Sequence, residues 1–219
     1  MGMSGSITHD IVHGPPRPPV EGGWGGGGGG GGGGSDGRGA FRRASFTGLY
    51  VLLAASTMLF AAFTSAMVVR RGLSDDWVSM PKPPILLVNT AILLASSLAL
   101  ELARRALKSG ARARFNGWWT AGTALGVLFL AGQALAWNQL NAASVFISTN
   151  PSSSFFYVLS VAHAVHLLGG VSALFYVDVQ AWRLSLGPGK RTAIDISAIF
   201  WHFLDGLWLY LMVLFYVWG

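Results

Sequence analysis

Histidine and aspartate side chains occur inside the most apolar part of this sequence, and they have the widest chemical capability in the chain. His163 and His166 are spaced i,i+3, as are His202 and Asp205, so each pair shares one face of a helix. Ionisable groups at membrane depth are costly, which makes them functional candidates. Three roles are open for this group: a structural hydrogen-bonded cluster, a bis-histidine haem site, or proton movement.

These four residues are predicted to meet because the segments that carry them cross a bilayer in opposite directions. At about 1.5 Å per residue, His163 and His166 lie roughly 15 to 20 Å below the start of their segment. His202 and Asp205 reach a comparable depth from the other side. An unpaired ionised group there would cost several kcal/mol, so we expect one network that joins the two helices.

Two carboxylates near the predicted ends of apolar segments have simpler interpretations. Glu101 precedes Arg104 and Arg105 by three and four residues, which is the spacing of a helical ion pair at the membrane surface. Asp195 follows Thr192 by three residues, which is the spacing of a capping box at a helix start.

The composition requires a membrane-embedded chain. Of the 219 residues only 11% are charged and 52% are hydrophobic, whereas about a quarter of a soluble domain is charged. Residues 115–177 contain no Asp, Glu, Lys or Arg, which no water-soluble fold needs. The sequence has no Cys, which excludes disulfides, iron–sulfur centres and thiolate metal sites.

Five apolar segments follow a polar tail, and each is close to the roughly 20 residues that cross a bilayer. They lie at about 45–69, 84–103, 116–138, 153–178 and 194–217, separated by Pro81, Pro83 and Pro84, by Asn150 and Pro151, and by Gly187, Pro188 and Gly189. Continuous apolar runs do not alternate as barrel strands do. The predicted fold is an all-α membrane protein with five transmembrane helices.

Small residues within these segments are expected to let helices approach closely, since packing in lipid depends on backbone approach. They are Ser96, Ser97, Gly122, Gly126, Gly169 and Gly170.

Residues 1–43 are predicted to be a disordered tail, and 44–219 the helical domain. The tail holds 17 of the 30 glycines, ten of them consecutive at 25–34, and can bury little surface. It shows no cleavable signal, because its first residues are short and polar.

The basic residues predict a cytoplasmic N-terminus and an external C-terminus. One side would carry 12 of them: Arg17, Arg38, Arg42, Arg43, Arg104, Arg105, Lys108, Arg112, Arg114, Arg183, Lys190 and Arg191. The other side would carry 3: Arg70, Arg71 and Lys82. Topology and anionic lipid therefore account for the net charge of +6, which gives no support for nucleic-acid binding.

Three motifs occur in the order found in a known family. They are VNTAILLASS at 88–97, the paired histidines within 155–170, and WHFLDGLWLY at 201–210 followed by YVWG at 216–219. Gln133 and Asp195 also fall where that family has Gln and an acidic residue. Residues 45–219 closely resemble subunit III of the haem-copper terminal oxidases, in its five-helix bacterial form.

The resemblance implies a non-redox subunit of a proton-translocating cytochrome c oxidase in the bacterial inner (plasma) membrane. Such a subunit has no catalytic, metal or cofactor-binding residues of its own, because haem and copper belong to partner subunits. It packs on subunit I, beside subunit II and small subunits, binds phospholipid, and sustains proton uptake and oxygen access. The longer form of the family has two additional N-terminal helices, so part of its lipid cleft is expected to be missing here or supplied by a neighbour.

One position departs from the family pattern. The family commonly has a carboxylate in the helix matching the first segment, within a Ser-Glu pair, and here the pair is Ser56-Thr57. A hydroxyl cannot titrate near neutral pH, so the carboxylate's contribution to proton uptake is expected to be absent or relocated.

Three alternative functions are open. A quinol oxidase carries the same subunit, because the chemistry of the electron donor is built elsewhere. A haem b membrane anchor would use His163 or His166 together with His202. A transporter usually has internal repeats, and we see none in this sequence.

Overall fold

Five α-helices make up the fold in this computed structural model, which describes residues 33–73, 84–142, 151–183 and 188–218. The helices are α1 (Gly33–Leu73), α2 (Ile85–Lys108), α3 (Arg112–Ala142), α4 (Pro151–Trp182) and α5 (Pro188–Trp218), and no strand occurs in the described ranges. Each helix contains a window long and apolar enough to cross a membrane. The predicted all-α bundle of five transmembrane helices is therefore confirmed.

All helix ends except the start of α2 lie outside the predicted apolar segments. α1 begins at Gly33, so residues 33–43 are helical although the sequence analysis assigned them to the tail. Ala40, Arg42 and Arg43 favour this extension of the apolar helix, whereas four of residues 33–39 are glycines, each of which costs about 1 kcal/mol in a helix interior. The tail boundary is corrected to this extent; residues 1–32 lie outside the described part.

The start of α5 also differs from the prediction. The helix begins at Pro188, which the sequence analysis placed in a turn, so Thr192 is inside the helix and is not its cap. Proline suits the first helical position, because the N–H that it lacks would have no intrahelical partner there.

A tight hairpin joins α2 to α3. Gly110 has a φ of 75°, the left-handed conformation that glycine adopts without strain. The N–H of Ala111 donates to the carbonyl of Ala106 at 3.0 Å, which ends α2 and turns the chain back. The two helices then pack closely, and the buried Ser96 hydroxyl donates to the carbonyl of Gly122 at 2.8 Å.

Glycines mark the closest contacts among α3, α4 and α5. A Cβ at Gly126 would lie 2.6 Å from the indole ring of Trp201, and one at Gly170 would lie 3.0 Å from Leu204. Gly169 differs, because a Cβ there would have no neighbour within 4 Å. Of the small residues predicted to make helix contacts, Gly169 therefore does not.

Cross-helix contacts show that neighbouring crossings alternate in direction. Trp119 Nε1 donates to the Leu174 carbonyl at 3.0 Å, and Trp137 Nε1 to Ser160 Oγ at 3.1 Å, so α3 and α4 are antiparallel. One end of the bundle therefore collects the start of α1, the end of α2, the start of α3, the end of α4 and the start of α5. We call it the basic end, because it carries Arg42, Arg43, Arg104, Arg105, Lys108, Arg112, Arg114, Arg183 and Arg191.

Candidate functional site

A row of polar contacts runs between α2 and α5. Trp208 Nε1 donates to Thr90 Oγ1 at 3.0 Å, Ser97 Oγ and His202 Nδ1 share a hydrogen bond, and Arg104 donates to Asp195 at 3.4 Å. We call these three contacts the α2–α5 seam. From the first of these contacts to the third, the residue number rises on α2 and falls on α5, so the two helices are antiparallel. The seam therefore joins them at three levels.

The middle level of the seam contains two of the predicted residues. His202 Nδ1 lies 3.9 Å from Asp205 Oδ2, which is too far for a hydrogen bond, so Ser97 is the direct partner of His202. Asp205 is 5% exposed, and neither of its carboxylate oxygens has a hydrogen-bond partner among the described residues. His202 and Asp205 therefore share one face of α5, and His202 joins that face to α2 through Ser97.

His163 is surrounded by aromatic rings instead. It is 1% exposed and stacks on Trp208, with ring centroids 5.1 Å apart and an interplanar angle of 27°. Phe129 and Phe60 contact it edge-on, with their ring centroids 6.3 and 6.5 Å from that of His163. Neither ring nitrogen has a hydrogen-bond partner among the described residues. This histidine acts in the described structure as a buried aromatic side chain.

His166 lines a groove between α1, α4 and α5. Its Nδ1 lies 2.7 Å from the Ala162 carbonyl, and because a carbonyl only accepts, Nδ1 donates there. Its ring lies 5.6 Å from the ring of Phe60. The groove has a volume of about 450 Å³, and its other lining residues are Ser45, Gly48, Leu49, Leu52, Val165, Gly169, Ala173, Ile196, Ser197 and Phe200.

The predicted single network divides into two groups. His202 contacts α2 through Ser97, with Asp205 beside it on α5, whereas His163 and His166 contact aromatic rings of α1, α3 and α5. The prediction used depth alone, and depth does not specify which way a side chain points. Successive helical residues are about 100° apart, so residues at one level of α5 face different neighbours.

This division also bears on the haem alternative. Two axial imidazoles must face the same iron, but Trp208 covers one face of the His163 ring and His202 pairs with Ser97. The described geometry therefore does not favour a haem between α4 and α5.

Glu101 and Asp195 are joined through one arginine. Glu101 accepts from Arg104 and from Arg105 at 3.2 Å each, which is the predicted helical ion pair. Asp195 contacts Arg104 at 3.4 Å across the seam. Because α5 starts before Thr192, the capping interpretation of Asp195 is wrong, and its described partner is on α2.

Gln133 and Thr57 occupy different surroundings. Gln133 is buried in α3 and neither polar atom of its amide has a described partner. The neighbouring Gly132 approaches the Asn89 side chain so closely that a Cβ would overlap it. Thr57 is exposed, and its hydroxyl donates to the Leu53 carbonyl at 2.8 Å within α1. Among the described residues, its one hydrogen bond at the position of the family carboxylate is therefore local.

One polar contact was not predicted from the sequence. Thr120 donates to the carboxylate of Asp178 at 2.7 Å, and Trp182 Nε1 donates to the Thr120 hydroxyl at 3.1 Å. Asp178 is buried although it lies near the basic end. The only sequence signal was a lone Asp beside an apolar segment, which does not reveal a partner on another helix.

The fold and the polar contacts define a multi-pass helical membrane protein. A family model described as Cytochrome c oxidase subunit III matches residues 45–219, so the chain belongs to that family. This confirms the resemblance inferred from the three motifs. The chain is thus a member of a family of oxidase subunits, in the plasma membrane.

Several curated relatives agree with this assignment. The "Cytochrome c oxidase subunit 3" of Synechocystis sp. is 29% identical over 179 residues, which cover 78% of this chain and 74% of the relative. The protein of the same name in Thermostichus vulcanus is also 29% identical, and the match covers 78% of this chain and 85% of the relative. A "Probable cytochrome c oxidase subunit 3" of Nocardia farcinica is 27% identical, and the match covers 77% of this chain and 85% of the relative.

Proposed function

We propose that this chain is the non-redox subunit III of a proton-translocating haem-copper oxidase that takes its electrons from cytochrome c. In this role it packs on subunit I, beside subunit II and smaller subunits, while subunit I reduces oxygen. The observation that carries the proposal is the family match over residues 45–219, which coincides with the five-helix bundle. The quinol form is the alternative for the electron donor; the relatives' names favour cytochrome c.

The proposed orientation has the basic end in the cytoplasm and the C-terminus outside. The count of 12 basic residues against 3 supports it, because basic residues are retained on the cytoplasmic side. Proton uptake for oxygen reduction begins on that side, so the proposed contribution of this subunit to proton uptake belongs to the basic end.

Lipid binding and oxygen access have support in the shape of α1. It is the least buried helix, with 17% of its most apolar window buried against 56% for α5. Between α1 and its neighbours lie the groove lined by His166 and a second of about 340 Å³ lined by Thr57, Phe203 and Tyr210, among others. Both have mostly apolar walls, which suit acyl chains and molecular oxygen.

The seam supports a structural role for His202, which belongs to it, and for Asp205, which lies beside His202 on α5. Hydrogen bonds between transmembrane helices contribute modestly, about 0.6 to 2 kcal/mol each, so contacts at three levels fix how α2 and α5 associate. In this proposal neither residue takes part in a catalytic step.

Purification of the chain with its partners tests the proposed function. A tagged chain is expected to bring down subunit I with its haem absorption, identified by mass spectrometry. Separated from its partners, the chain is expected to be colourless between 400 and 600 nm, the range in which haem absorbs strongly. A b-type haem spectrum in the separated chain would establish the membrane-anchor alternative in place of this one.

A further inference from the structure

A cavity lies between the end of α2 and the start of α5, at the basic end of the seam. Its volume is about 160 Å³, and its lining residues are Arg104, Leu107, Lys108, Arg191, Ile194 and Asp195. A water molecule takes about 30 Å³ of liquid volume, so the cavity has room for a polyatomic group.

The charged residues of this cavity are arranged as two facing pairs. Arg104 and Lys108 are spaced i,i+4 on α2, and Arg191 and Asp195 are spaced i,i+4 on α5. Both pairs line the same cavity, so the charges of the two helices face one another across it. Three cations therefore surround one carboxylate, and the lining is positive before any ligand binds.

The single carboxylate does not neutralise the cavity. Asp195 is paired with Arg104, whose guanidinium also contacts Glu101 on its own helix. Lys108 and Arg191 have no ion-pair partner among the described residues, and both are exposed. The Nε of Arg104 is buried and has no described hydrogen-bond acceptor. Two cations and one buried N–H thus remain available to an anion.

The surroundings of the cavity select the kind of anion. Leu107 and Ile194 supply apolar walls beside the cations, and the cavity lies where two membrane-spanning helices reach one surface. Basic pockets between transmembrane helices on the cytoplasmic side bind anionic lipid head groups. Arginine and lysine are the side chains that recognise phosphate oxygens.

We propose that this cavity binds the phosphate group of an anionic phospholipid, with the glycerol end of the lipid against Leu107 and Ile194. Lipid binding is part of the proposed function, and this inference rests on it and names a site for it. The shared chemistry is a phosphate mono- or diester, and the lipid is distinguished from free phosphate by its apolar part.

The test compares two double variants of the assembled oxidase complex. Lys108→Gln with Arg191→Gln removes two charges from the cavity but leaves the Arg104–Asp195 contact. Arg112→Gln with Arg114→Gln removes two exposed charges from the start of α3, at the same end of the bundle and outside the cavity. Delipidated complexes are titrated with phosphatidylglycerol, phosphatidylcholine or inorganic phosphate, and binding is counted by native mass spectrometry.

The cavity variant is expected to bind phosphatidylglycerol about tenfold or more weakly at one site, with the control variant unchanged. Phosphatidylcholine is expected to bind that site weakly in every complex. Equal affinity in both variants, or an equal loss in both, would overturn the proposed site. Displacement of the lipid by equimolar inorganic phosphate would assign the site to the free anion instead. If the cavity variant still assembles with subunit I and reduces oxygen, the proposed oxidase function stands whichever result is obtained.

Discussion

At the scale of single residues, the surroundings of each histidine decide what it can do. His202 pairs with a hydroxyl on another helix, whereas His163 is enclosed by Trp208, Phe129 and Phe60. An enclosed imidazole without a described acceptor is unsuited to proton exchange, because a proton needs a continuous polar route. His202 and Asp205 are therefore the better position for testing whether protons matter in this subunit.

Variants of Asp205 separate a structural role from proton transfer. Asp205→Asn keeps the size and polarity of the side chain but removes the acid. We expect full retention of the subunit and an initial oxygen-reduction rate within about twofold of the parent, since the proposed role of this residue is structural. Retention is measured by subunit stoichiometry, and the rate by oxygen consumption.

Asp205→Ala removes the buried side chain itself. We expect weaker retention of the subunit by roughly 1 to 3 kcal/mol and faster loss of activity during turnover, with the initial rate nearly unchanged. Val213→Ala, at an exposed position of the same helix and outside the seam, serves as the control and is expected to behave like the parent. A normal complement of subunit with a small initial rate in Asp205→Asn would show that this carboxyl carries protons.

How much of the site the sequence could predict depends on the kind of contact. The pairing of Glu101 with Arg104 and Arg105 follows from spacing within one helix, and the structure contains it. The partner of His202 could not be predicted, because Ser97 is 105 residues away and its contact depends on how two helices are rotated. Depth in the membrane is readable from a sequence, but rotation about a helix axis within a uniformly apolar segment is not.

At the scale of helices, apolar length predicted five elements but not their ends. Each segment was placed correctly because roughly 20 apolar residues are needed to span. Most helices are longer than the predicted apolar segments, because polar helix formers such as Arg42 and Arg43 continue a helix beyond its apolar part. Tertiary packing and capping set those ends, and neither is encoded in hydrophobicity.

Close helix contact predicts a difference between two glycines. Gly126→Ala would place a Cβ 2.6 Å from the fully buried Trp201 ring, which is rigid and enclosed. We expect a loss of about 1 to 3 kcal/mol in stability from this overpacking. Gly169→Ala, on an open face of α4, is the matched control and is expected to be neutral or slightly stabilising. Thermal unfolding of the purified subunit or complex measures both, and equal melting temperatures would contradict the described packing of α3 against α5.

At the scale of the whole molecule, α5 is the central helix and α1 the peripheral one. The backbone of α5 lies close to α1, α2 and α4, and its buried Trp201 and Trp208 side chains reach α3. α1 contacts only α4 and α5 among the described helices. A peripheral helix held by few neighbours leaves apolar surface for lipid or for partner subunits, which agrees with the proposed role as an accessory subunit.

Removal of residues 1–38 is expected to leave assembly intact. The candidate membrane span of α1 is Gly39–Leu73, and the glycine-rich segment before it offers almost no side chain to bury. The measurement is the amount of subunit incorporated into the purified complex. Removal of residues 1–60, which also deletes much of α1, is the contrasting variant and should prevent incorporation. Loss of assembly with the shorter deletion would reveal a binding role for the tail.

The last prediction concerns the orientation of the bundle in the membrane. Five crossings put the α2–α3 connection on the side of the basic end and the segment between α3 and α4 on the opposite side. With 12 basic residues on the first side and 3 on the second, we expect a reporter fused after Lys108 to lie in the cytoplasm and one fused after Asn150 to lie outside. Alkaline phosphatase, active only outside, and green fluorescent protein, fluorescent only inside, would give opposite results at the two points. Opposite signals of reversed sign would keep five crossings but invert the topology, and would move the proposed lipid cavity to the external leaflet. Equal signals at both points would contradict the five-crossing bundle itself.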